Sequence, residues 1–190
     1  MSEPLIHGTG LGAARGERVL YRDVSVSAAA GQLILLRGAN GTGKTTLLRQ
    51  LAGLSETQAG SVTRTGTHHW IGHTNGLKAH ETPRTHLRHW AKVWGSAANV
   101  DAILKDTALA RPADVPCRML SAGQKRRTAL SRLKLQDRSV WLLDEPFNAL
   151  DTDGQALLAS MIEAHRARGG AVIAALHGEA PVHADLEVSI

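Results

Sequence analysis

The sequence predicts an α/β protein: a buried parallel sheet with helices packed against it. Three observations carry that prediction. Short apolar runs, "LILL" from Leu33, "VWLL" from Val140 and "AVIAAL" from Ala171, have the length and bareness of strands buried on both faces. Between them lie longer stretches where apolar residues recur every three or four positions, as an amphipathic helix requires. A glycine-rich loop joins the first apolar run to the first helical stretch. Strands that alternate with helices form a parallel sheet, because parallel neighbours need a crossover between them.

The elements follow in order. "RVLYRDVSVSAAAGQ" alternates apolar and polar residues and predicts a strand, with a turn near Ala30 and Gly31, before the buried strand at 33–36. "KTTLLRQLAGL" then sets Leu47, Leu48, Leu51 and Leu54 at helical spacing, with Gly53 as the stop. "AGSVTRTGTHHWIGHT" mixes turn glycines with β-formers and predicts short strands. From Pro83 to about Gln136 the pattern is helical. Leu87, Trp90, Ala91 and Trp94 share one face, residues 99–109 make a second helix, and "CRMLSAGQKRRTALSRLKL" leads into a third. "SVWLLDEP" is a buried strand, 153–167 a helix stopped by Gly169 and Gly170, "AVIAAL" another strand and "LEVSI" a short last one. There is no internal repeat, low-complexity tract or linker.

Composition narrows the function classes. The 190 residues suffice for one domain with a sizeable core. The net charge of +5 calls for an anionic partner (nucleotide, nucleic acid or anionic membrane surface) without choosing among them. Four tryptophans, one tyrosine and one phenylalanine are too few for a stacking platform on single strands. Cys117 is the sole cysteine, so no internal disulfide forms, which fits a reducing compartment. "MSEPLIHGTG" lacks the layout of a signal peptide, and no apolar run approaches the roughly 18 residues of a spanning helix.

Two stretches carry chemistry. "GANGTGKT", Gly38 to Thr45, fits the phosphate-loop pattern G-x-x-x-x-G-K-[ST] and lies between a predicted strand and a predicted helix, the context the motif requires. Gly38, Gly41 and Gly43 let backbone N–H groups converge on phosphates, and the helix N-terminus adds its positive end. Lys44 would reach the β- and γ-phosphates, and the Thr45 hydroxyl would hold Mg²⁺. "VWLLDEP" puts two acids at the C-terminal end of a buried strand, where ligand crevices of open α/β sheets lie. Asp144 can hold Mg²⁺ through water and Glu145 can orient an attacking water. "SAGQKRRTAL", from Ser121, reads as a further anion site at a helix start, or as an ordinary N-cap serine.

"GANGTGKTT", "LSAGQKRR", "WLLDEP", "NALD" and His177 stand in the order seen in ATP-binding cassette ATPases, and the chain resembles that family. The resemblance implies a P-loop NTPase core of ATP-binding cassette type with an antiparallel β-subdomain and an inserted helical subdomain. Residues 1–190 would form one such domain, with the helical subdomain at about 79–137. It implies ATP and Mg²⁺ as cofactors, with Ala39, Asn40, Thr42 and Thr46 completing the nucleotide loop. Ser121, Ala122, Gly123 and Gln124 match the signature motif, which acts in trans on nucleotide held by a second copy of the chain. Two ATP molecules would then be sandwiched between two subunits. Asp151 matches the dimer-contact aspartate and His177 the histidine that senses the γ-phosphate.

"WIGHTNGLK", "LSAGQKRR", "DEPFNALD" and the brevity of the chain further resemble the ATP-binding subunits of bacterial cytochrome c maturation haem exporters. That implies integral membrane subunits as partners, haem or a haem chaperone as the indirect partner, and a peripheral place on the cytoplasmic face of the inner membrane. An exporter of lipid, drug or polysaccharide stays open as an alternative. So does an ATPase acting on nucleic acid or ribosomes, although such proteins usually fuse two cassettes or insert coiled coils; nucleic acid is not the expected partner.

Two positions depart from the family pattern. A glutamine usually touches Mg²⁺ and couples to the membrane subunit where this chain reads His73-Thr74, and Thr74 takes its place. An aromatic usually stacks on adenine where this chain reads Arg15-Gly16; a guanidinium plane can stack there too. His68, His69, His73, His80, His86 and His89 lack zinc or haem-attachment spacing and read as exposed or capping. Lys125, Arg126 and Arg127 read as a solvated helix face, and Trp90 and Trp94 as core or partner-facing.

Overall fold

The computed structural model describes residues 3–178 and 181–190. The chain divides into two compact units. One takes Met1–Gly72, Arg138–Pro146 and Ser160–Ile190, the other His73–Asp137 and Phe147–Ala159. The net charge divides with them. The second unit carries twelve Lys and Arg against seven Asp and Glu, the first ten against ten, so the whole +5 belongs to the second.

The first unit contains β1 (Ile6–Arg15), β2 (Arg18–Ala28), β3 (Leu33–Arg37), α1 (Lys44–Leu51), β4 (Ala59–Arg64), β5 (His68–Ile71), β6 (Val140–Asp144), β7 (Ala171–Ala175) and β8 (Leu186–Ser189). Strands β2, β1 and β4 form an antiparallel sheet, with β1 in the middle. No alternation in the sequence marks β1, because Gly8, Gly10 and Gly12 interrupt it and its register with β2 shifts three times. Its hydrogen bonds to two neighbours, rather than its side chains, define it.

The other sheet has the order β5-β6-β7-β3-β8 and is parallel throughout. Leu36 pairs with Ala175 and Ala175 with Asp144, so β3, β7 and β6 end in line. Residues 37–38, 145 and 176–177 therefore leave the sheet from one edge. Helix α1 packs against β1 on one side and against β6 and β7 on the other. Leu47, Leu48 and Leu51 from the helix meet Ile34, Leu36, Leu142 and Ile173 from one sheet and Leu11, Tyr21 and Val26 from the other. Each fully buried leucine here contributes roughly 1.5–3 kcal/mol. Arg64 closes the end of α1 by donating to the carbonyls of Leu51 (2.6 Å) and Gln50 (2.7 Å).

The second unit holds α2 (Pro83–Val93), α3 (Val100–Asp106), α4 (Ala122–Leu130) and two 3₁₀ turns, Cys117–Met119 and Ser131–Lys134. It also receives the start of α5 (Thr152–Ala167). Thr82 and Thr85 cap α2 reciprocally and Pro83 opens it, while Asn99 caps α3. Leu87, Ala91, Ile103, Leu104, Leu109 and Leu135 make the core, with Trp90 and Trp94 half-buried against it. The third helix of this unit starts where the sequence places a helix start, at Ser121. Ser121 is its N-cap, and the turn at its far end tightens to 3₁₀.

Two expectations fail in these units. Arg126 is 3 % exposed, so the basic run is not a solvated face. His69 and His86 are buried rather than exposed or capping. The Nδ1 of His86 lies 3.0 Å from Glu81 Oε2, while its Nε2 is buried without a partner. Burial pushes the His86 pKa down despite Glu81. The neutral ring is therefore the folded form, and protonation would bury an N–H with no acceptor.

A histidine depressed in the folded state adds stability above its unfolded pKa of roughly 6.5 and loses it as pH falls through the lower folded value. Thermal unfolding should therefore shift to lower temperature as pH drops below about 6.5. His86→Gln, which keeps a donor for Glu81 and cannot titrate, should flatten much of that fall. His68, which burial and Arg64 also depress, contributes to the remainder, and at more acidic pH so do Asp114 and Glu187, which Arg84 and Arg37 hold below the usual carboxylate range. Melting curves of both proteins between neutral and acidic pH check this, and equal slopes would count against it.

Candidate functional site

The phosphate loop is built on the contact of α1 with the β2 strand behind it. Gly43 is the N-cap of α1 with φ +112, a left-handed conformation that L side chains rarely adopt. A Cβ there would stand 2.8 Å from the Tyr21 ring. The ring is fixed in turn, for the Tyr21 hydroxyl donates to Gln50 Oε1 at 2.9 Å. Burial pushes the Tyr21 pKa up to about 12, which keeps that hydroxyl a donor.

Lys44 is the first residue of α1 and is buried, yet it is an ammonium and needs acceptors. It donates to the carbonyls of Gly38 (2.8 Å) and Ala39 (3.1 Å), lacing the loop from its end back to its start. Thr42 Oγ1 also donates to the Ala39 carbonyl (3.1 Å). Asn40 and Gly41 are exposed at the crest of the loop, and Thr46 is half-buried in the first turn of the helix. A buried ammonium within a glycine-rich loop at a helix N-terminus is suited to an anion.

Thr45 is exposed and its hydroxyl lies 3.0 and 2.9 Å from the two carboxylate oxygens of Asp144. Asp144, at the end of β6, is 1 % exposed. Glu145 follows with φ +48, a strained conformation for a non-glycine residue, held by its N–H bond to the Ala175 carbonyl (3.0 Å). His177 is exposed just beyond β7, where Arg37 anchors the chain through the Gly178 carbonyl. The fold thus brings the loop, both acids and His177 to one sheet edge. An oxygen-only pair such as Thr45 and Asp144 suits a hard divalent cation. Arg15, the last residue of β1, is exposed at the hairpin turn.

The remaining candidates lie in the second unit. Ser121 caps α4: its Oγ accepts from the Gln124 N–H (3.2 Å), while Gln124 Oε1 accepts from the Ser121 N–H (3.0 Å). The serine O–H keeps its proton free to donate outward. Ala122 is exposed, and Gly123 packs so closely that a Cβ would meet the Ala149 carbonyl at 3.0 Å. Asp151 caps α5 by accepting from the Gly154 N–H at 2.9 Å. His73 and Thr74 are exposed, and Thr74 borders a cavity of about 620 Å³ lined also by Asn75, Leu77, Cys117 and Lys125.

Sequence reasoning missed Tyr21, Asn75, Arg126 and Arg132. The alternation that predicts β2 places Tyr21 on a strand, and only the run of arginines after Gln124 points toward the others. Among the described residues no group of three or more His, Cys, Asp and Glu side chains could hold a metal ion by itself.

Residues 21–148 match the ABC transporter family. The chain is 53% identical over 187 residues to the cytochrome c biogenesis ATP-binding export protein CcmA of Hyphomonas neptunium, covering 98% of this chain and 97% of that protein. It is 44% identical to the protein of the same name from Maricaulis maris, over 89% of this chain and 84% of that one. Among solved structures, an ABC transporter ATP-binding protein from Pyrococcus furiosus superposes with a TM-score of 0.82 over 97% of this chain and 96% of its own, at 19% identity, and shares the fold.

The loop depends on Gly43 lacking a side chain. Gly43→Ala should cost roughly 1–3 kcal/mol of stability through backbone strain, with additional loss from displacing the Tyr21 ring. It should also weaken ATP binding by more than tenfold. Urea unfolding and titration with a fluorescent ATP analogue check the two parts.

Proposed function

The chain belongs to the ABC transporter family as an ATP-binding ATPase, and we propose that it powers a membrane export complex of cytochrome c biogenesis. The observation that carries the ATPase part is the laced phosphate loop with Thr45 on the Asp144 carboxylate. The biogenesis part rests on the near full-length likeness to proteins named for that process.

In this reading Gly38, Ala39, Asn40, Gly41, Thr42, Gly43 and Thr46 present the loop to the phosphates, and Lys44 turns its ammonium to the β- and γ-oxygens. Thr45 and Asp144 would hold Mg²⁺, which supplies charge neutralisation of the phosphate oxygens when bound. Glu145 orients the attacking water and takes its proton. His177 donates to the γ-phosphate. Ser121 and the N–H of Gly123, at the start of α4 with Ala122 and Gln124, complete the site from a second copy of the chain. That copy is needed because α4 offers a helix N-terminus and a free serine proton to an anion. Asp151 serves at the contact between the copies.

The described helices are too short or too polar to cross a membrane. The chain would therefore reach the cytoplasmic face of the inner membrane peripherally, by docking on integral membrane subunits at the exposed His73-Thr74 segment. Haem or a haem chaperone is handled by those partners. Threonine is too short to replace a long amide at the metal, which favours docking as the role of that segment.

Glu145→Gln should keep ATP affinity within about twofold, cut hydrolysis about 100-fold or more and accumulate dimers with ATP. Light scattering and phosphate release measure these. In a complemented strain the same change should abolish holo-cytochrome c; normal yield would remove the biogenesis assignment. Arg15→Ala should weaken ATP binding roughly 2- to 30-fold if its guanidinium stacks on adenine, and unchanged affinity would exclude Arg15 from the site.

A further inference from the structure

Arg37 is the last residue of β3 and stands immediately before Gly38, where the phosphate loop begins. Its main chain is held in the sheet: it pairs with Ser189 of β8, and its carbonyl accepts from the Ile190 N–H at 2.9 Å. Its side chain spans both neighbours of β3. Nε and Nη2 donate to Glu187 Oε1 of β8 at 3.1 and 2.8 Å, and Nη1 donates to the Gly178 carbonyl just beyond β7. Glu187 thus fixes one side of the planar fork and leaves Nη1 aimed at Gly178. A lysine, with one point charge, could not hold both partners in this geometry.

The carbonyl so gripped comes directly after His177. Strand β7 pairs with β3 as far as Ala175 opposite Leu36, and the Leu176 N–H makes one more bond to the Leu36 carbonyl at 3.2 Å. Past that point the chain leaves the sheet. His177 and Gly178 are exposed, Gly178 takes φ +82, and a Cβ on it would meet no atom within 4 Å. A segment that turns through open space at a left-handed glycine has little packing to fix it. The Nη1 bond gives it a fixed point one residue beyond His177, and ties that point to the strand end that feeds the phosphate loop. The side chains of Arg37 and Glu187 are 25 % and 52 % exposed, so the pair contributes little to overall stability and its effect is local.

We propose that Arg37 is a positioning residue for hydrolysis: by holding the Gly178 carbonyl, it fixes His177 relative to the start of the phosphate loop. A donor to a transferring phosphoryl group acts only where it is already in place as charge develops, so a histidine on an exposed turn needs such an anchor. Glu187 aims the guanidinium and touches neither the histidine nor the loop glycine itself. This rests on the reading above that His177 donates to the γ-phosphate.

The test uses the full chain, with phosphate release measured against ATP concentration and ATP affinity read with a fluorescent analogue. Arg37→Met keeps the stem and removes the fork. It should lower kcat about tenfold and leave ATP affinity within about twofold, since the backbone of the loop keeps its pairing. In a His177→Ala chain the same change should alter kcat by less than about twofold, because its action runs through the histidine. Glu187→Ala, which frees the guanidinium without removing it, should lower kcat about threefold and stays readable if the methionine chain folds poorly. Wild-type kcat for Arg37→Met, or for Glu187→Ala where the methionine chain does not fold, overturns the proposal. So does an undiminished loss in the His177→Ala chain, or a fall in ATP affinity as large as the fall in kcat, the mark of a merely structural role. Normal hydrolysis by His177→Ala overturns the γ-phosphate reading and this inference together, whereas slow hydrolysis by His177→Ala beside normal hydrolysis by Arg37→Met overturns this inference alone.

Discussion

A carboxylate with almost no exposure must be answered, and the answer to Asp144 organises this protein. Its two oxygens face the hydroxyl of Thr45, in the first turn of α1. That contact ties the end of β6 to the start of the helix that the phosphate loop feeds. The lysine one residue earlier is also buried and draws on the loop's own carbonyls. Acid and base are thus both buried, the one beside the Thr45 hydroxyl and the other on two carbonyls of the loop.

The rest of the first unit holds that arrangement in register. The helix is gripped by leucines between two sheets, so its N-terminus has little freedom. Three adjacent strands end level, which brings Gly38, Glu145 and His177 off one edge although they are scattered over the chain. The tight approach of Tyr21 to Gly43 carries the antiparallel sheet into the same construction. The strained φ of Glu145 is held by a backbone bond to the neighbouring strand, so strain sits where the water-orienting role is proposed.

The second unit solves a different problem. It carries all of the net positive charge, and part of that charge is internal. Arg126 and Arg132 are buried and use Asn75, Ala129 and the face of Trp90 as partners. Buried cations with specific acceptors define one packing of the helices more sharply than leucines do, because a shifted helix would leave a guanidinium unanswered. The same unit presents Ser121 with its oxygen committed to capping and its proton free.

The sequence by itself determined the parallel sheet, the phosphate loop, the acids at the end of β6 and the helix start at Ser121. Each is a local pattern: an apolar run, a glycine spacing, a capping serine followed three residues later by glutamine. Those signals need no knowledge of distant residues. Only the tertiary structure decided that β1 is the central strand of its sheet, since pairing partners rather than side chains make it one. Only it decided that Arg126 is buried while Lys125 beside it is half-exposed, and that His86 is neutral against Glu81. Burial of a charged or titratable group depends on acceptors brought from elsewhere in the chain, and a local pattern carries no record of them. Asn75 has no marked role in the sequence. Only the fold sets two guanidinium groups, those of Arg126 and Arg132, against it.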